Sequence, residues 1–472
     1  MYHIGQTLGC CSALAVLSIS LAGAASSGEV NGPLRVSQIN PRYFTDDRGQ
    51  AIYLTGSHTW LNLQDGSPYK FDYDGFLDFL QQYNHNFLRL WAWESTIWAV
   101  PDSSKMRLSP LPFERTGPGL ALDGKPKFDL TKFSQEYFSR LRQRVIAARD
   151  RKLYVGIMLF QGFSVSRKSK NRKASPWPGH PFHKDNNVNS IDGDINADGE
   201  GYEVHTLANP AITGYQEAYV RKVIDTVNDL DNVIYEISNE CHNGSTEWHY
   251  HIIRFIHDYE KTKPKQHPVW MSFQWDGIEG SGTDANLFNS PAETVSPVGD
   301  DKRLYRNNPP PADGSKVIIA DTDHLWGIGG NVSWAWQSFL RGLNPIFMDS
   351  YIESLHNKTS DLDPKWEPLR KAMGHTLTYA EKMNLIKMTP RGDLASTGYC
   401  LANPGTEYLI YQPESGQTFH VDLEPASYEY EWFNTQTGET ADKGSISVDA
   451  KSQTFTPAFE GHAVLYLVLK GN

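Results

Sequence analysis

Residues 232–240 are NVIYEISNE, a run of β-branched and aromatic residues that ends in an Asn and a Glu. Such a run is typical of a strand buried on both faces of a parallel sheet. Asn239 and Glu240 follow at the carboxyl end of this strand. In barrels of parallel strands, the carboxyl ends carry the active site. We therefore expect Glu240 to point into the mouth of a barrel.

Seven similar runs alternate with helical periodicity between residues 50 and 385. The eight predicted strands are Ala51–Thr55, Phe87–Leu90, Tyr154–Phe160, Val233–Ile237, Val269–Phe273, Asn286–Phe288, Val317–Ala320 and Pro345–Met348. The clearest predicted helices, with apolar residues three and four apart, are Lys132–Arg149, Gln216–Val227, Trp248–Tyr259, Ser333–Leu340 and Trp366–Met383. Eight strands in series predict a (β/α)8 barrel, the TIM-barrel architecture, over residues 31–387.

Both flanks of the predicted barrel are β-rich. Tyr43–Leu54 predicts a hairpin that caps the barrel floor. After Met388 the pattern changes to short alternating strands separated by Gly, Pro and Asn. These strands are Tyr408–Gln412, Thr418–Leu423, Tyr428–Asn434, Ser445–Val448 and Ala463–Leu469. Residues 388–472 are therefore predicted to form a small all-β antiparallel sandwich.

Composition limits the classes of partner. The chain has 472 residues, 39% hydrophobic and 12% aromatic, with a formal net charge of -11. This charge argues against nucleic acid and anionic membranes, which bind clustered Lys and Arg. Residues 1–25 contain no Lys, Arg, Asp or Glu and include an apolar run from Cys11 to Ala25, which predicts a signal peptide and a secreted or periplasmic protein. No later segment is apolar enough to span a bilayer, and the oligomeric state stays open.

A metal or cofactor is not expected. Cys241 and Cys400 follow the signal peptide without metal-ligand spacing. The acidic stretch 192–203 invites a calcium interpretation, because alternate oxygen ligands suit this ion. In the frame that begins at Asp192, Glu203 takes the bidentate position, but Ala197 stands where a glycine is required. A frame shifted by two residues fails at its last position, so we favour a plain acidic loop within the long segment Gly162–Leu207.

The Asn-Glu pair at the strand end suits glycosidic cleavage. That reaction needs two carboxyl groups, one to protonate the leaving oxygen and one to attack or to activate water. Glu240 fits the acid/base role, and Asn239 is expected to bind a sugar hydroxyl. A solvated Glu at a strand end is the plain structural alternative.

The chain resembles the clan A glycoside hydrolases, which are retaining (β/α)8 enzymes. The resemblance rests on the stretches 55–60, 86–91, 187–189, 232–240 and 398–405, which read TGSHTW, NFLRLW, NVN, NVIYEISNE and GYCLANPG. More narrowly, it is similar to apiosidase-like, cellulase-related proteins that end in a sandwich labelled collagen-binding. The resemblance implies an acid/base at Glu240 after the fourth strand and a nucleophilic carboxylate after the seventh.

The nucleophile is where this sequence departs from the clan. Most members use Glu there, whereas this chain offers Asp321 directly after the seventh strand, with Asp323 as the alternative. Asp is one methylene shorter, which leaves retention or inversion open. The resemblance also implies that Arg89, at the end of the second strand, holds the nucleophile ionised. A structural salt bridge inside the barrel is the alternative role for this arginine.

Polar and aromatic residues at the other strand ends are predicted to line a sugar pocket. With Arg89 and Asn239, the predicted substrate-binding residues are His58, Trp60, Trp91, Trp93, Gln161, Gln274, His324, Trp326 and Tyr351. Each also has an ordinary core or rim interpretation. Glu94, which follows Trp93, belongs to the same group.

Two functions follow from these features. The first is a secreted glycoside hydrolase that cleaves a poly- or oligosaccharide and requires no cofactor. The second is a secreted, non-catalytic protein that binds a glycan or collagen through an inert barrel and an adhesive sandwich. A peptidase is disfavoured, because the sequence has neither a His-Glu-x-x-His motif nor a Gly-x-Ser-x-Gly elbow. The sugar, the linkage and exo or endo action depend on loop shapes that one sequence leaves open.

Overall fold

The computed structural model describes residues 30–99, 105–170, 173–299, 304–352 and 363–471. The predicted signal peptide, residues 1–25, lies outside the described residues.

The centre of the fold is a barrel of eight parallel strands. They are β1 (Gly56–His58), β2 (Phe87–Leu90), β3 (Tyr154–Gln161), β4 (Val233–Asn239), β5 (Val269–Ser272), β6 (Thr294–Ser296), β7 (Val317–Asp321) and β8 (Asn344–Met348). Parallel pairing runs in order from β2 through β7 and β8 to β1. The Thr55 carbonyl accepts hydrogen bonds from Asn86 N at 3.0 Å and Phe87 N at 3.2 Å, which brings β1 beside β2 and nearly closes the ring. The predicted fold class is confirmed.

Nine α-helices are described, and most lie between the barrel strands. They are α1 (Tyr73–Gln82), α2 (Gln135–Asp150), α3 (Pro210–Val227), α4 (Thr246–Glu260), α5 (Asp284–Phe288), α6 (Leu304–Asn307), α7 (Thr322–Leu325), α8 (Val332–Leu340) and α9 (Glu367–Lys382). All five predicted helices are present; four agree within three residues at each end, and α3 begins six residues before the predicted Gln216, at Pro210. The cap of α3 shows the local cause, because the Asn209 side chain accepts from Ala211 N at 3.0 Å and Pro210 occupies the first turn.

The first barrel strand was placed wrongly by sequence, at Ala51–Thr55. Ala51–Ile52 pairs antiparallel with Phe44–Thr45 instead, within the predicted hairpin. The barrel strand is Gly56–His58, which pairs with β8. Its three residues, Gly-Ser-His, lack the apolar run by which a buried strand is recognised, since a polar side chain at the mouth replaces a core residue.

The position predicted for the sixth strand was also wrong. Asn286–Phe288 lies within helix α5, which begins at a capping box formed by Thr283 and Asn286. The sixth strand is Thr294–Ser296, which pairs with β5 and β7. A three-residue strand with two hydroxyl side chains has too little hydrophobic pattern to compete with the stronger apolar run before it.

The N-terminal hairpin covers the barrel floor, as predicted. Leu34, Phe44 and Leu54 form one buried cluster with the inward side chains at the bottom of the strands. Those side chains are Phe87, Tyr154, Ile234, Trp270, Val317, Ile319 and Ile346. The lower part of the barrel is therefore filled mainly with apolar groups.

The C-terminal region forms two antiparallel sheets. The larger has the order β9-β10-β11-β16-β13-β14, with strands β9 (Thr389–Pro390), β10 (Cys400–Asn403), β11 (Glu407–Gln412), β16 (Ala463–Leu469), β13 (Ala426–Asn434) and β14 (Glu439–Val448). The smaller pairs β12 (Phe419–Asp422) with β15 (Ser452–Phe455). Side chains of both sheets share one buried core, in which the rings of Phe419 and Trp432 meet edge to face at 5.9 Å. The predicted sandwich is confirmed, with three short strands that the sequence did not reveal.

The sandwich packs against the outer helices of the barrel. Trp336 of α8 stacks on Tyr411 of β11 at 6.3 Å between ring centroids. Tyr379 of α9 meets Phe433 edge to face at 5.5 Å, and its hydroxyl donates to Glu431 at 2.7 Å. Aromatic burial on both sides of this contact makes it an extension of the barrel core.

Long connections cover the carboxyl ends of the strands. The segment after β2 contains strands Ile97–Ala99 and Lys105–Ser109 and the hairpin Phe113–Leu120/Pro126–Phe133. The segment after β3 contains three short 3-10 turns between residues 162 and 205. Among the described residues, none of the helices has the length and apolar character that a membrane crossing requires.

Candidate active site

Arg89 lies at the centre of the upper barrel. Its side chain is fully buried, and its guanidinium holds Glu236 with two hydrogen bonds, from Nε at 2.9 Å and from Nη2 at 2.5 Å. Nη1 donates to Asp321 Oδ2 at 2.8 Å, and Nη2 also donates to Asn239 Oδ1 at 3.0 Å. Only a planar fork of donors can meet acceptors on β4 and β7 at once. One cation therefore ties together the two strands that carry the predicted catalytic carboxyl groups.

Glu236 is the counter-ion that the sequence did not identify. It lies in the middle of β4 and is fully buried. Ser272 of β5 donates a short hydrogen bond to Glu236 Oε1. A carboxylate inside a buried strand requires such partners, because an isolated ion there is costly. A carboxylate within an otherwise apolar strand was the feature of the sequence that could have identified Glu236.

Asp321 ends β7 and has three donors. His58 Nε2 lies 2.9 Å from Oδ1, Asp323 N donates to the same oxygen at 2.9 Å, and Arg89 holds Oδ2. Burial alone would raise the pKa of Asp321, but the charges of His58 and Arg89 outweigh it and hold the pKa well below its ordinary value. Asp321 is therefore ionised at neutral pH.

Asp323 shares the same cation. Its Oδ2 lies 3.3 Å from Arg89 Nη1, and its side chain is 8% exposed, whereas that of Asp321 is fully buried. The two predicted nucleophiles therefore differ in access to the mouth and in how firmly they are held.

Asn239 and Glu240 stand at the rim of β4. Asn239 donates to Gln161 Oε1 at 3.3 Å, and its own Oδ1 lies 3.2 Å from His324 Nε2. Glu240 is partly exposed and has a φ of 47°, in the left-handed region that non-glycine residues rarely adopt. A sharp turn thus follows the strand directly.

Gly162 makes room for that turn. A Cβ at residue 162 would lie 2.6 Å from the carbonyl carbon of Glu240 and 2.7 Å from Cys241 Cα. No side chain fits between these backbones, so glycine at 162 is required for the observed course of residues 240–241.

Glu94 anchors the long segment after β3. Its Oε2 lies 2.9 Å from His205 Nε2 and accepts from Gln161 N at 2.7 Å, and Oε1 lies 3.6 Å from His180 Nε2. Burial raises the pKa of Glu94, but the opposing effect of His205 and His180 is larger and lowers the pKa to about 2. The carboxylate is therefore ionised at neutral pH, and it attaches this segment to the barrel mouth.

The predicted aromatic residues of the first two strands form one group. Trp91 stacks on His58 at 5.9 Å and lies over the Arg89 guanidinium at 4.8 Å. Trp93 packs on Trp98 at 5.0 Å, and the partly exposed Trp60 contacts the same Trp98 at 5.3 Å. These rings border the Arg89–Asp321 cluster on the side of β1 and β2.

Three other predicted residues have their described contacts away from this cluster. Gln274 donates to His242 O at 2.9 Å and to Ser245 Oγ at 2.8 Å, at the start of α4. Trp326 packs on Trp334 at 5.5 Å. Tyr351 packs among phenylalanines of the α1 region, with Phe76 and Phe79 each at 5.0 Å.

Carboxylates in the acidic stretch 192–203 accept hydrogen bonds from backbone N–H groups of the same stretch. Asp194 accepts from Asp198 N at 3.0 Å and from Gly199 N at 2.9 Å. In the described part of the chain, which includes all of this stretch, no three His, Cys, Asp or Glu side chains form a group that could hold a metal ion.

Comparisons with known proteins agree with the fold. A family model described as a domain of unknown function, DUF6298, matches residues 106–280, a range that contains Glu240 but not Arg89 or Asp321. No curated protein sequence matches the chain. A solved structure named "Glycoside hydrolase" is 14% identical, covers 94% of this chain and 98% of its own, and has a TM-score of 0.60. A glycoside hydrolase family 5 structure from Bacteroides vulgatus ATCC 8482 is 13% identical, covers 94% of each chain, and has a TM-score of 0.62. These likenesses establish that the chain shares with both proteins a fold that extends over the barrel and the sandwich.

Proposed function

We propose that this chain is a glycoside hydrolase that cleaves a poly- or oligosaccharide by a retaining, two-carboxylate mechanism. The observation that carries the proposal is the contact of one guanidinium, Arg89, with both Asp321 on β7 and Asn239 on β4. Because Glu240 follows Asn239 directly, a carboxyl group from each strand stands at one barrel mouth. The solved structures with the same fold that are named glycoside hydrolases support the class of reaction.

Asp321 has the properties of the nucleophile. Its pKa lies well below the ordinary value, so it is an anion at neutral pH. In the first step, a carboxylate oxygen of Asp321 forms a bond to the anomeric carbon while the bond to the leaving oxygen breaks. The positive charge of Arg89 stabilises the ionised carboxylate of Asp321. Arg89 keeps its own protons, so Asp321 stays available as an anion.

Glu240 has the place of the acid/base. In the first step it donates its proton to the leaving oxygen, and in the second it takes a proton from the water that displaces Asp321. The residue is partly exposed at the barrel mouth, while its Oε2 atom is buried there. Asn239, held by Arg89 and Gln161, is placed to bind a hydroxyl next to the reacting carbon.

The aromatic border of the site supports a carbohydrate as the substrate. Trp60 and Trp275 are partly exposed near the strand ends, and sugar C–H groups pack on such faces. The apolar run Cys11–Ala25 supports export, so we place the enzyme outside the cytoplasm. The narrower relation to apiosidase-like proteins, and any collagen binding by the sandwich, stay predictions.

The test is hydrolysis of a panel of aryl glycosides and polysaccharides by the wild type and by Glu240→Gln. Gln keeps the shape of the side chain and removes its proton, so activity should fall by about 10²-fold or more. The matched control is Glu247→Gln, at an exposed position of α4. A Glu240→Gln variant as active as the wild type would overturn the role of Glu240. Binding of a glycan or collagen without cleavage by either protein would support the non-catalytic alternative.

The stereochemistry is tested separately. Proton NMR of the first product released from the wild type should show the anomeric configuration of the substrate. An inverted product would replace the covalent step by direct attack of water.

A further inference from the structure

Lys168 is a buried lysine of the segment after β3. It is fully excluded from solvent, and its own φ is 61°. Its ammonium donates a short hydrogen bond to the carbonyl oxygen of Glu240 and lies 3.0 Å from Asp276 Oδ2. A longer contact of 3.5 Å joins it to the carbonyl of Trp275. The three groups that Lys168 contacts belong to the segments after β4 and β5, so one ammonium connects three loops of the barrel mouth.

Asp276 is positioned independently of the lysine. Its Oδ1 accepts from Ile278 N at 2.7 Å and from Glu279 N at 2.8 Å. Tyr202 OH donates to the same oxygen at 3.3 Å. Burial raises the pKa of Asp276, but Lys168 and these backbone donors lower it below the ordinary value. The lysine thus has a fixed anion on one side and the Glu240 carbonyl on the other.

The backbone of Glu240 needs such support. A non-glycine residue in the left-handed region is strained and persists only where its surroundings hold it. Gly162 leaves the space for the Glu240 carbonyl, but it contributes no attraction. The hydrogen bond from Lys168 binds this carbonyl directly.

A buried ion pair also contributes little net stability to a fold, because desolvation of the two charges offsets most of their attraction. Removing two charges from water is costly, and an apolar pair of similar volume is often as stable. The presence of this pair directly beneath the proposed acid/base therefore calls for a role in geometry.

We propose that Lys168 and Asp276 are positioning residues that hold Glu240 in its left-handed conformation and thereby aim its carboxyl group at the leaving oxygen. The proposal rests on the role of Glu240 given above, but its structural part does not. Neither residue touches the substrate in this scheme, since the ammonium acts through the backbone of Glu240.

The first experiment is the crystal structure of the double variant Lys168→Met/Asp276→Asn. This variant leaves no unpaired buried charge, and it is therefore the form expected to fold. We expect Glu240 to leave the left-handed region, with its carbonyl turned away from residue 168. A Glu240 φ that stays near its present 47° in the variant would overturn the positioning role, whether or not the protein has activity. If the double variant does not crystallise, Lys168→Leu/Asp276→Asn, which likewise leaves no unpaired buried charge, is examined in the same way.

The second experiment compares leaving groups. A displaced acid/base slows the expulsion of poor leaving groups, which need a proton, and spares good ones, which do not. We expect kcat of the double variant to fall about 10-fold or more on alkyl glycosides and less than about 3-fold on 2,4-dinitrophenyl glycosides, with KM little changed. An equal loss on both substrates would show a general structural defect and overturn the proposed link to proton donation.

The control is Lys184→Met, which makes the same chemical change at a 65% exposed lysine of the same segment. If the wild type cleaves no glycoside, the proposed function fails, while the crystal structure still decides the role of Lys168.

Discussion

Arg89 Nη1 donates to Asp321 Oδ2 at 2.8 Å in an environment where neither side chain reaches solvent. The same nitrogen lies 3.3 Å from Asp323, which is 8% exposed. The cation thus faces two carboxylates, one fixed and one nearer the solvent. Which of them attacks the sugar is the main chemical question that the site poses.

We expect Asp321→Asn to lose at least about 10³-fold in kcat and Asp323→Asn to lose about 10-fold or less. Asn has the shape of Asp and can still cap α7, so each change removes mainly a charge. Steady-state hydrolysis of the same glycosides measures both losses. The reverse ranking would assign the nucleophile to Asp323. Azide adds a second criterion, since it should restore activity to Asp321→Gly and yield a glycosyl azide of inverted configuration.

Gly162→Ala should impair catalysis because the new methyl group collides with the backbone of Glu240. We expect kcat to fall by about 10-fold or more, since a displacement of about 1 Å in a catalytic group can cost 10²-fold. The control is Gly214→Ala in α3, where an added Cβ meets no atom within 4 Å. That change should stabilise the helix by up to about 1 kcal/mol and leave kcat unchanged. Equal activity of both variants would contradict the required close approach.

The anchor at Glu94 should make stability depend on acid pH. Because its pKa is lowered from 4.5 to about 2, its contribution is complete above pH 4.5 and is lost as the pH falls toward 2. Urea unfolding should therefore find the wild type more stable than Glu94→Gln by up to about 3 kcal/mol at pH 6, and the difference should shrink at pH 3. Glu136→Gln, at a 70% exposed side chain, should show little difference at either pH. A pH-independent difference would mean that packing, not charge, holds the segment.

The contact between the sandwich and the barrel should contribute to the stability of both. Trp336 is fully buried between Tyr379 and Phe433, with ring centroids 5.7 and 6.0 Å away. Trp336→Ala should cost about 3–5 kcal/mol and lower the melting temperature measured by calorimetry. Leu120→Ala, at a 66% exposed position, should change stability by less than about 0.5 kcal/mol. An unchanged melting temperature for Trp336→Ala would show that the two domains fold without support from this contact.

Where local pattern and tertiary burial agree, sequence reasoning succeeded. The runs at 154–160, 233–237 and 317–320 are buried on both faces, and all three are barrel strands. The first and sixth strands were misplaced because they have only three residues each, among them Ser57, His58, Thr294 and Ser296. Such strands are defined by their neighbours in the sheet, a relation that no local window contains.

The positions of Arg89, Asn239, Glu240 and Asp321 at strand ends followed from the chain alone, since a parallel barrel brings all carboxyl ends to one face. Whether those side chains meet was decided by the tertiary structure. The strands β2, β4 and β7 that carry them end at residues 90, 239 and 321, far apart in the sequence. The same holds for Lys168 and Asp276, which carry no local signal. Periodicity records which face of an element is buried, whereas a hydrogen bond between distant loops depends on how the whole barrel closes.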